Sequence, residues 1–410
     1  MFEFGRDLRK LFDKARESED LGWLELIGAD LVEAEARREA VDAGRVSCPR
    51  PFDSWLRASA LWREHARRTG RRESLDRAAR CASEAARHTA TPDQTAAAAI
   101  ESGEIHLLRF DLFGGPAVLN AALADAQSLT AERPVTRAAA AALHARLCAR
   151  RARISDSPAS LMDAAALLDA ALHSARALPP CAGDELRLDR ATLALEAGVA
   201  RRDGRLLDQA GRDLRALVES ASPDYRPLTR ARALALAGAG LMALADLAGN
   251  EAARLQGSEL FDAAADQFTP DHSPLDWIAV RLARSADDTP LLVLAEAEAL
   301  GREPGLILGA LARERRIAAE AVLAETMGDV EALTGLEAII RRRLAEASRI
   351  EPLDWAVDQI GMARLALSRA RLTGTQPRAV GMLLAEAAAT AREQGALVLA
   401  RRAEKGLETA

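Results

Sequence analysis

Prolines punctuate this chain at nearly regular intervals. Pro92, Pro134, Pro180, Pro227 and Pro274 are separated by 42, 46, 47 and 47 residues. In a helix interior proline costs roughly 3 kcal/mol, but in the first turn it costs little, because its missing N–H would be unpaired there anyway. In a helical chain these prolines therefore mark helix starts, and their spacing predicts a repeated structural unit.

A second set of helix breakers lies inside each interval. These breakers are Pro116, Pro158, Gly204 and Asn250, which follow the first set by 24, 24, 24 and 23 residues. Their surroundings, such as Asp-Gly at 203–204, favour turns and helix caps. Each unit is therefore predicted to be two antiparallel helices joined by a short turn.

The same spacing recurs towards both ends of the chain. Pro304 precedes Gly328 by 24 residues and Pro352 precedes Pro377 by 25, while Pro51 and the turn at Gly70 define the first clear pair. Pro290 follows Pro274 by only 16 residues and predicts one shortened pair or a kink. About eight helix pairs are expected.

Composition and periodicity also favour helices throughout. Ala, Leu, Arg and Glu dominate the 410 residues, and aromatic residues make up 3%, too few for a typical sheet protein. Apolar residues recur three and four positions apart, as at Leu161, Ala164, Ala165, Leu168, Ala171 and Leu172. The sequence predicts an all-α protein in which stacked helix pairs bury one another's apolar faces.

A short motif occurs at the start of two units. Residues 274–277 and 352–355 both read Pro-Leu-Asp-Trp, and Trp55 lies four residues after Pro51. This opening resembles the first helix of divergent bacterial tetratricopeptide repeats, although the 34-residue signature of that family is not matched position by position and the period here is longer. In such an opening, Pro begins the helix, Asp lies near its positive end and Trp fills the gap to the preceding unit.

The resemblance implies a right-handed α-solenoid over residues 49–410, preceded by an N-terminal helix and capping segment over residues 1–48. It also implies that Trp55, Trp277 and Trp355 pack one repeat on the next. In this family the first helices line a concave groove that binds a peptide or a partner helix. The Lys and Asn residues of the family's carboxylate clamp are not found in this sequence.

Charge and cysteine usage limit the function classes. The net charge of −6 disfavours a nucleic-acid binder, since phosphate contacts supply most of that affinity. Cys48, Cys81, Cys148 and Cys181 have no C-x-x-C spacing and are expected to be reduced thiols. Lysine occurs only at three positions, which indicates a GC-rich, bacterial genome. Charged residues near the start disfavour a signal peptide, so a cytoplasmic protein is expected.

No pattern indicates catalysis, a metal or a cofactor. The six histidines are scattered without a metal-binding spacing. Residues 238–243 read Gly-Ala-Gly-Leu-Met-Ala and fit a dinucleotide fingerprint, but the preceding residues are helical in composition where that fingerprint needs a strand. Glycines that permit close helix packing are the better interpretation. The chain is therefore predicted not to be an enzyme.

Arginines on the predicted first helices are the candidates for partner binding. They can form a solvated helix face, or a basic groove that holds an acidic peptide through bidentate contacts. The candidates are Arg146, Arg150, Arg151, Arg187, Arg190, Arg281 and Arg284.

The N-terminal residues form an amphipathic pattern. Between residues 2 and 16 lie five basic and three acidic side chains. The apolar stripe consists of Phe2, Phe4, Leu8, Leu11 and Phe12. Such a helix can cap the first repeat, dock on a partner protein or lie on an anionic membrane surface.

The sequence thus predicts a protein-interaction scaffold whose partner is a peptide or helix of another protein. One alternative is a peripheral adaptor at the inner membrane that binds lipid through residues 1–16. Another is an enzyme or nucleic-acid binder whose site is assembled from distant repeats.

Overall fold

The computed structural model describes residues 20–155, 157–284, 289–346, 351–377 and 379–408. Within these ranges the regular structure consists of helices, and no strand occurs. The predicted all-α class is therefore confirmed. The α-helices, numbered in chain order, are α1 Ala29–Ala43, α2 Pro51–Thr69, α3 Arg72–Arg87, α4 Pro92–Phe113, α5 Pro116–Ser128, α6 Pro134–Ser155, α7 Pro158–Ser174, α8 Pro180–Arg201, α9 Gly204–Ser220, α10 Pro227–Ala248, α11 Glu251–Ala265, α12 Pro274–Ala283, α13 Leu291–Leu300, α14 Ile307–Met327, α15 Val330–Glu346, α16 Pro352–Thr373, α17 Val380–Glu393 and α18 Leu397–Glu408.

Most of the predicted helix starts agree with the structure, except that α14 and α17 begin three residues after Pro304 and Pro377. All five prolines of the regular series are the first residues of helices, as are Pro51, Pro116, Pro158 and Pro352. Two helices that start without proline have a polar cap: Asp203 accepts a hydrogen bond from the backbone N–H of Arg205 before α9, and Asn250 accepts one from that of Ala253 before α11. Prolines and polar caps thus set the regular spacing of the helix starts.

The shortened pair expected at Pro290 is also present. Helices α12 and α13 have 10 residues each, about half the length of the first helices before them. Proline at position 290 is the cap residue before α13. Since proline cannot sit in the interior of a helix, a helix that starts at Pro274 must end before it.

Residues cluster into two compact units, which are described separately. The first comprises the described residues of Met1–Leu61, Cys81–Gly103 and Asp125–His272, and the second those of Trp62–Arg80, Glu104–Ala124 and Ser273–Ala410. In the first unit each helix from α6 to α11 packs on the next one, and α8 also packs on α6 and α10. In the second unit each helix from α12 to α18 packs on the next one, and α14 also packs on α12 and α16.

Helices α10 and α11 approach closely at a pair of glycines. A Cβ at Gly238 would lie 3.0 Å from the carbonyl oxygen of Gly257, and a Cβ at Gly257 would lie 3.1 Å from that of Gly238. The Gly-Ala-Gly sequence therefore lies in mid-helix and serves helix packing. Among the described helices, α10 also has the length and mean hydropathy, 1.5 over its most apolar stretch, of a membrane-spanning segment. A helix packed in a protein core can have the same composition.

The segment before α1 packs on the start of α10. A 3-10 helix, Leu21–Leu26, carries the buried Glu25. The carboxylate of Glu25 accepts hydrogen bonds from the backbone N–H of Thr229 and from Arg226 Nε, both at 2.8 Å. Thr229 is in the first turn of α10, whose own cap residue provides no side-chain hydrogen bond. Glu25 thus supplies from a distance the cap that α10 lacks.

Candidate functional site

Two of the predicted groove arginines, Arg146 and Arg150 on α6, form ion pairs with carboxylates on α8. Arg146 pairs with Asp189 at 2.7 Å and with Glu185 at 3.1 Å, and Arg150 pairs with Asp189 at 2.7 Å. One turn further along α6, Arg153 binds Glu196 through two hydrogen bonds of 2.5 and 2.6 Å. We call the six residues Arg146, Arg150, Arg153, Glu185, Asp189 and Glu196 the α6–α8 clamp. Each arginine of the clamp thus already holds a carboxylate of its own chain.

The central carboxylate of this clamp is charged in spite of its burial. Burial alone would raise the pKa of Asp189, but the guanidinium groups of Arg150 and Arg146 outweigh it and hold the pKa below its usual value. A buried carboxylate flanked by two cations is an internal structural contact. The predicted role of Arg146 and Arg150 in binding a partner stays a prediction.

The remaining arginines on α6 and α8 are more exposed. Arg151 faces solvent on α6. Arg190 pairs with Asp169 and, at 2.5 Å, with Asp213. Arg187 pairs with Asp184 at 2.8 Å but keeps half of its side chain exposed. Arg187 also lines an open depression of about 590 Å³, together with His173, Arg176 and the two prolines at the start of α8, Pro179 and Pro180.

Arg281 and Arg284 lie at the end of α12. The guanidinium of Arg281 lies 5.4 Å from the ring centre of Trp277, within the range of a cation–π contact. The backbone carbonyl of Arg284 accepts a hydrogen bond of 2.8 Å from Arg315 Nη1. Both arginines are half-buried, so packing occupies a large part of each side chain.

The three tryptophans lie in or beside apolar clusters. Trp277 is buried. Trp55 packs against the cluster of Phe52, Ala85 and Ala98, and Trp355 packs against the large apolar cluster of the second unit. The aspartates of the two Pro-Leu-Asp-Trp motifs accept hydrogen bonds near helix starts: Asp276 accepts one from Ser273 Oγ at 2.6 Å, and Asp354 accepts one from the backbone N–H of Gly305 at 3.0 Å.

The predicted docking helix lies outside the described residues. Phe2, Phe4, Leu8, Leu11 and Phe12 all precede residue 20. Membrane or partner binding by this segment stays a prediction.

One cysteine lies beside a histidine, as in some catalytic pairs. Cys148 Sγ is 3.6 Å from His144 Nε2. Burial raises the pKa of Cys148, and burial followed by the charge of Arg151 lowers the pKa of His144. Both shifts favour the neutral thiol and the neutral imidazole, whereas a nucleophilic pair needs the thiolate. Within the described residues no group of three or more His, Cys, Asp and Glu side chains is arranged to hold a metal ion.

A cleft lined mainly by basic and apolar side chains lies in the second unit. It has a volume of about 440 Å³ and is bordered by α14, α16, α17 and α18. Four basic side chains line it, Arg364, Arg371, Arg402 and Lys405, against one lining carboxylate, Glu325. We call this feature the C-terminal cleft. Its apolar lining consists of Val322, Ile360, Leu367 and Leu384.

A buried glutamate organises the basic residues of the cleft. Glu314, of which 1% is exposed, accepts a hydrogen bond from Arg364 Nη2 at 3.0 Å, and its other oxygen lies 2.6 Å from Arg402 Nε. Two guanidinium groups thus share one carboxylate, which leaves a surplus of positive charge. Burial is the main cause that lowers the pKa of the neighbouring Arg315; the charge of Arg402 lowers it further, and the charge of Glu314 opposes the shift. At the other end, Arg371 pairs with Glu325 at 3.2 Å.

These basic residues were missed in the sequence-based prediction. The spacing of Arg364, Ser368 and Arg371 places them on one face of α16. The periodicity was therefore readable, but the contribution of Arg402 and Lys405 depends on how α18 packs against α16, which no local pattern encodes.

Comparisons with known proteins add no identification. No protein-family model matches the sequence, and none of the curated proteins is significantly similar to it.

Proposed function

We propose that this protein is a non-catalytic interaction scaffold: a right-handed α-solenoid of helix hairpins, of the tetratricopeptide-repeat kind, that binds a polypeptide partner along its first helices. One observation carries the proposal. In each unit the first helices of successive hairpins pack side by side. In one unit α8 contacts both α6 and α10, and in the other α14 contacts both α12 and α16.

This packing supports the proposal because it makes a surface from separate hairpins. Within each unit the second helix of one hairpin also packs on the first helix of the next hairpin. A solenoid whose second helices lie on one side of its first helices would give this pattern. In a stack of this kind the opposite faces of the first helices lie next to one another and form an extended surface. Extended helical surfaces of repeat arrays are suited to polypeptides, which can cross several repeats.

Selection of binding peptides tests the proposal. Short random peptides displayed on phage would be selected against the full chain after depletion on the denatured chain. We expect enrichment of related sequences, whose synthetic versions bind the folded chain saturably and compete with one another. Failure of selection to enrich any sequence above the denatured control would contradict a peptide-binding scaffold.

A further inference from the structure

We propose that the C-terminal cleft binds an acidic, extended segment of the partner protein, with two carboxylates that flank apolar residues. The inference rests on the proposed scaffold function and specifies its ligand. It is carried by the convergence of four basic side chains on one cleft that also has an apolar lining.

Charge complementarity is the first argument. Arg364 and Arg402 share the carboxylate of Glu314, and Arg371 pairs with Glu325, so three arginines share two carboxylates. Lys405 also lines the cleft. A guanidinium has five N–H donors in a rigid fork, so an arginine that uses one donor for Glu314 retains others for a ligand. The surplus charge favours an anionic ligand over a neutral or basic one.

Preorganisation is the second argument. Glu314 is almost fully buried and holds Arg364 and Arg402 through ion pairs of 3.0 and 2.6 Å. Long arginine side chains usually lose rotamer freedom when they bind a ligand. Here the buried carboxylate has already ordered two of the four, so less of that entropy is lost on binding.

Size and spacing select the ligand conformation. Arg364 and Arg371 are seven residues apart on α16, which corresponds to about 10 Å along the helix axis. In a polyproline II segment, which has three residues per turn and rises about 3.1 Å per residue, carboxylates three residues apart lie on the same face of the peptide, about 9 Å apart. A volume of about 440 Å³ suits a few side chains. The pattern acidic-x-x-acidic, with apolar residues at the two central positions, therefore matches the spacing of the arginines and the apolar lining of Val322, Leu367 and Leu384.

A matched set of peptides tests this inference. The probe is a fluorescein-labelled peptide with the core Glu-Leu-Leu-Glu, compared with cores Gln-Leu-Leu-Gln and Lys-Leu-Leu-Lys. Binding to the full chain is followed by fluorescence anisotropy. We expect the Glu peptide to bind at least roughly tenfold more tightly than the Gln peptide, and the preference to shrink as salt is added. Equal affinities for the Glu and Gln peptides would overturn the proposal.

Matched variants locate the binding site. The double variant Arg371→Glu, Lys405→Glu reverses two charges at exposed positions of the cleft, and Arg302→Glu, Arg401→Glu reverses two exposed charges outside it. We expect the first variant to bind the Glu peptide roughly tenfold more weakly or worse, and the second to bind within about twofold of wild type. Equal losses of affinity in both variants would show that the peptide is attracted by the overall charge of the protein, which would contradict the proposal. Circular dichroism melting checks folding, and Arg371→Gln, Lys405→Gln replaces the first variant if it is unstable.

The two proposals fail in different ways. Selected peptides that are not acidic, and that bind the Arg371→Glu, Lys405→Glu variant as well as wild type, would leave the scaffold function intact and remove the acidic ligand. A short DNA duplex that binds as tightly as the Glu peptide, and loses affinity in the same variant, would assign the cleft to nucleic acid and contradict the acidic peptide.

Discussion

In both the α6–α8 clamp and the C-terminal cleft, arginines and carboxylates of successive first helices meet, but only in the clamp do the charges balance. The clamp has three arginines, Arg146, Arg150 and Arg153, and three carboxylates, Glu185, Asp189 and Glu196. The cleft has four basic side chains around Glu314 and Glu325. The three arginines of the clamp thus face three carboxylates, whereas the three arginines of the cleft, Arg364, Arg371 and Arg402, share two.

The comparison teaches that arginine on a first helix does not by itself mark a binding surface. An arginine that pairs with its own carboxylate on the first helix of the next repeat holds those two helices together. An arginine that shares its carboxylate with another retains attraction for an outside anion. Charge balance at each interface, which sequence-based counting of arginines ignores, separates the two cases.

The largest expected effect is on stability, at the centre of the clamp. Asp189→Asn removes the charge that Arg146 and Arg150 share, and the side chains of these arginines are only 14% and 10% exposed. We expect a loss of about 3 kcal/mol in the local free energy of unfolding, because breaking a buried ion pair strands the remaining charges. Amide hydrogen exchange of α6 and α8 measures it.

An exposed pair of the same unit is the matched control. Arg212 and Asp208 form an i, i+4 pair on α9 with both side chains about two-thirds exposed. Asp208→Asn is expected to change the exchange of α9 by less than about 0.5 kcal/mol. If the two asparagine variants had equal effects, the clamp would not be a buried structural contact.

The second-largest expected effect is a loss of stability at Glu314, the buried carboxylate of the cleft. Glu314→Gln removes the charge shared by Arg364 and Arg402, which are 33% and 25% exposed. Because water reaches these guanidiniums more readily, we expect a smaller loss of about 1 to 2 kcal/mol in α14 and α16, again from hydrogen exchange. A loss greater than that of Asp189→Asn would reverse the proposed difference between the two regions.

Much of the fold was predictable from local sequence, and much of the electrostatics was not. Helix starts at Pro134, Pro180 and Pro227 follow from the backbone chemistry of proline alone. The partners of Arg146 and Arg153 both lie 43 residues later, close to one repeat interval, so the period itself carries a signal for them. The contact of Arg402 with Glu314 has no such signal, because it depends on the packing of the last helix.

The third prediction concerns pH and compares Asp189 with Asp358 of α16. The two arginines beside Asp189 hold its pKa below its usual value of about 3.9. Its stabilising effect is therefore complete well above that pH and is lost as the pH falls through the lowered pKa. Burial raises the pKa of Asp358, and the charge of Arg343 only partly offsets it. As the pH falls, the folded state is protonated at Asp358 before the unfolded state, which stabilises the folded state.

Stability measured between pH 7 and pH 3.5 tests these opposite signs. As the pH falls, wild type should lose stability relative to Asp189→Asn and gain stability relative to Asp358→Asn, because the asparagine side chains do not titrate. Urea unfolding gives both differences. The same slope in both comparisons would contradict the assigned environments.

The smallest expected effect on stability comes from replacing two exposed arginines, one in each unit. The same two variants show whether an arginine contributes to peptide binding without contributing much to stability. Arg371 is 58% exposed and Arg187 is 50% exposed, and each pairs with one carboxylate of its own unit. Replacement of either by Ala should change the unfolding free energy by about 0.5 kcal/mol or less, since exposed pairs are weak. Arg371→Ala should weaken binding of the Glu-Leu-Leu-Glu peptide several-fold, whereas Arg187→Ala should leave it unchanged. If Arg187→Ala weakened binding as much as Arg371→Ala, the acidic segment would not be confined to the C-terminal cleft, and surplus charge at that cleft would not be what selects the ligand.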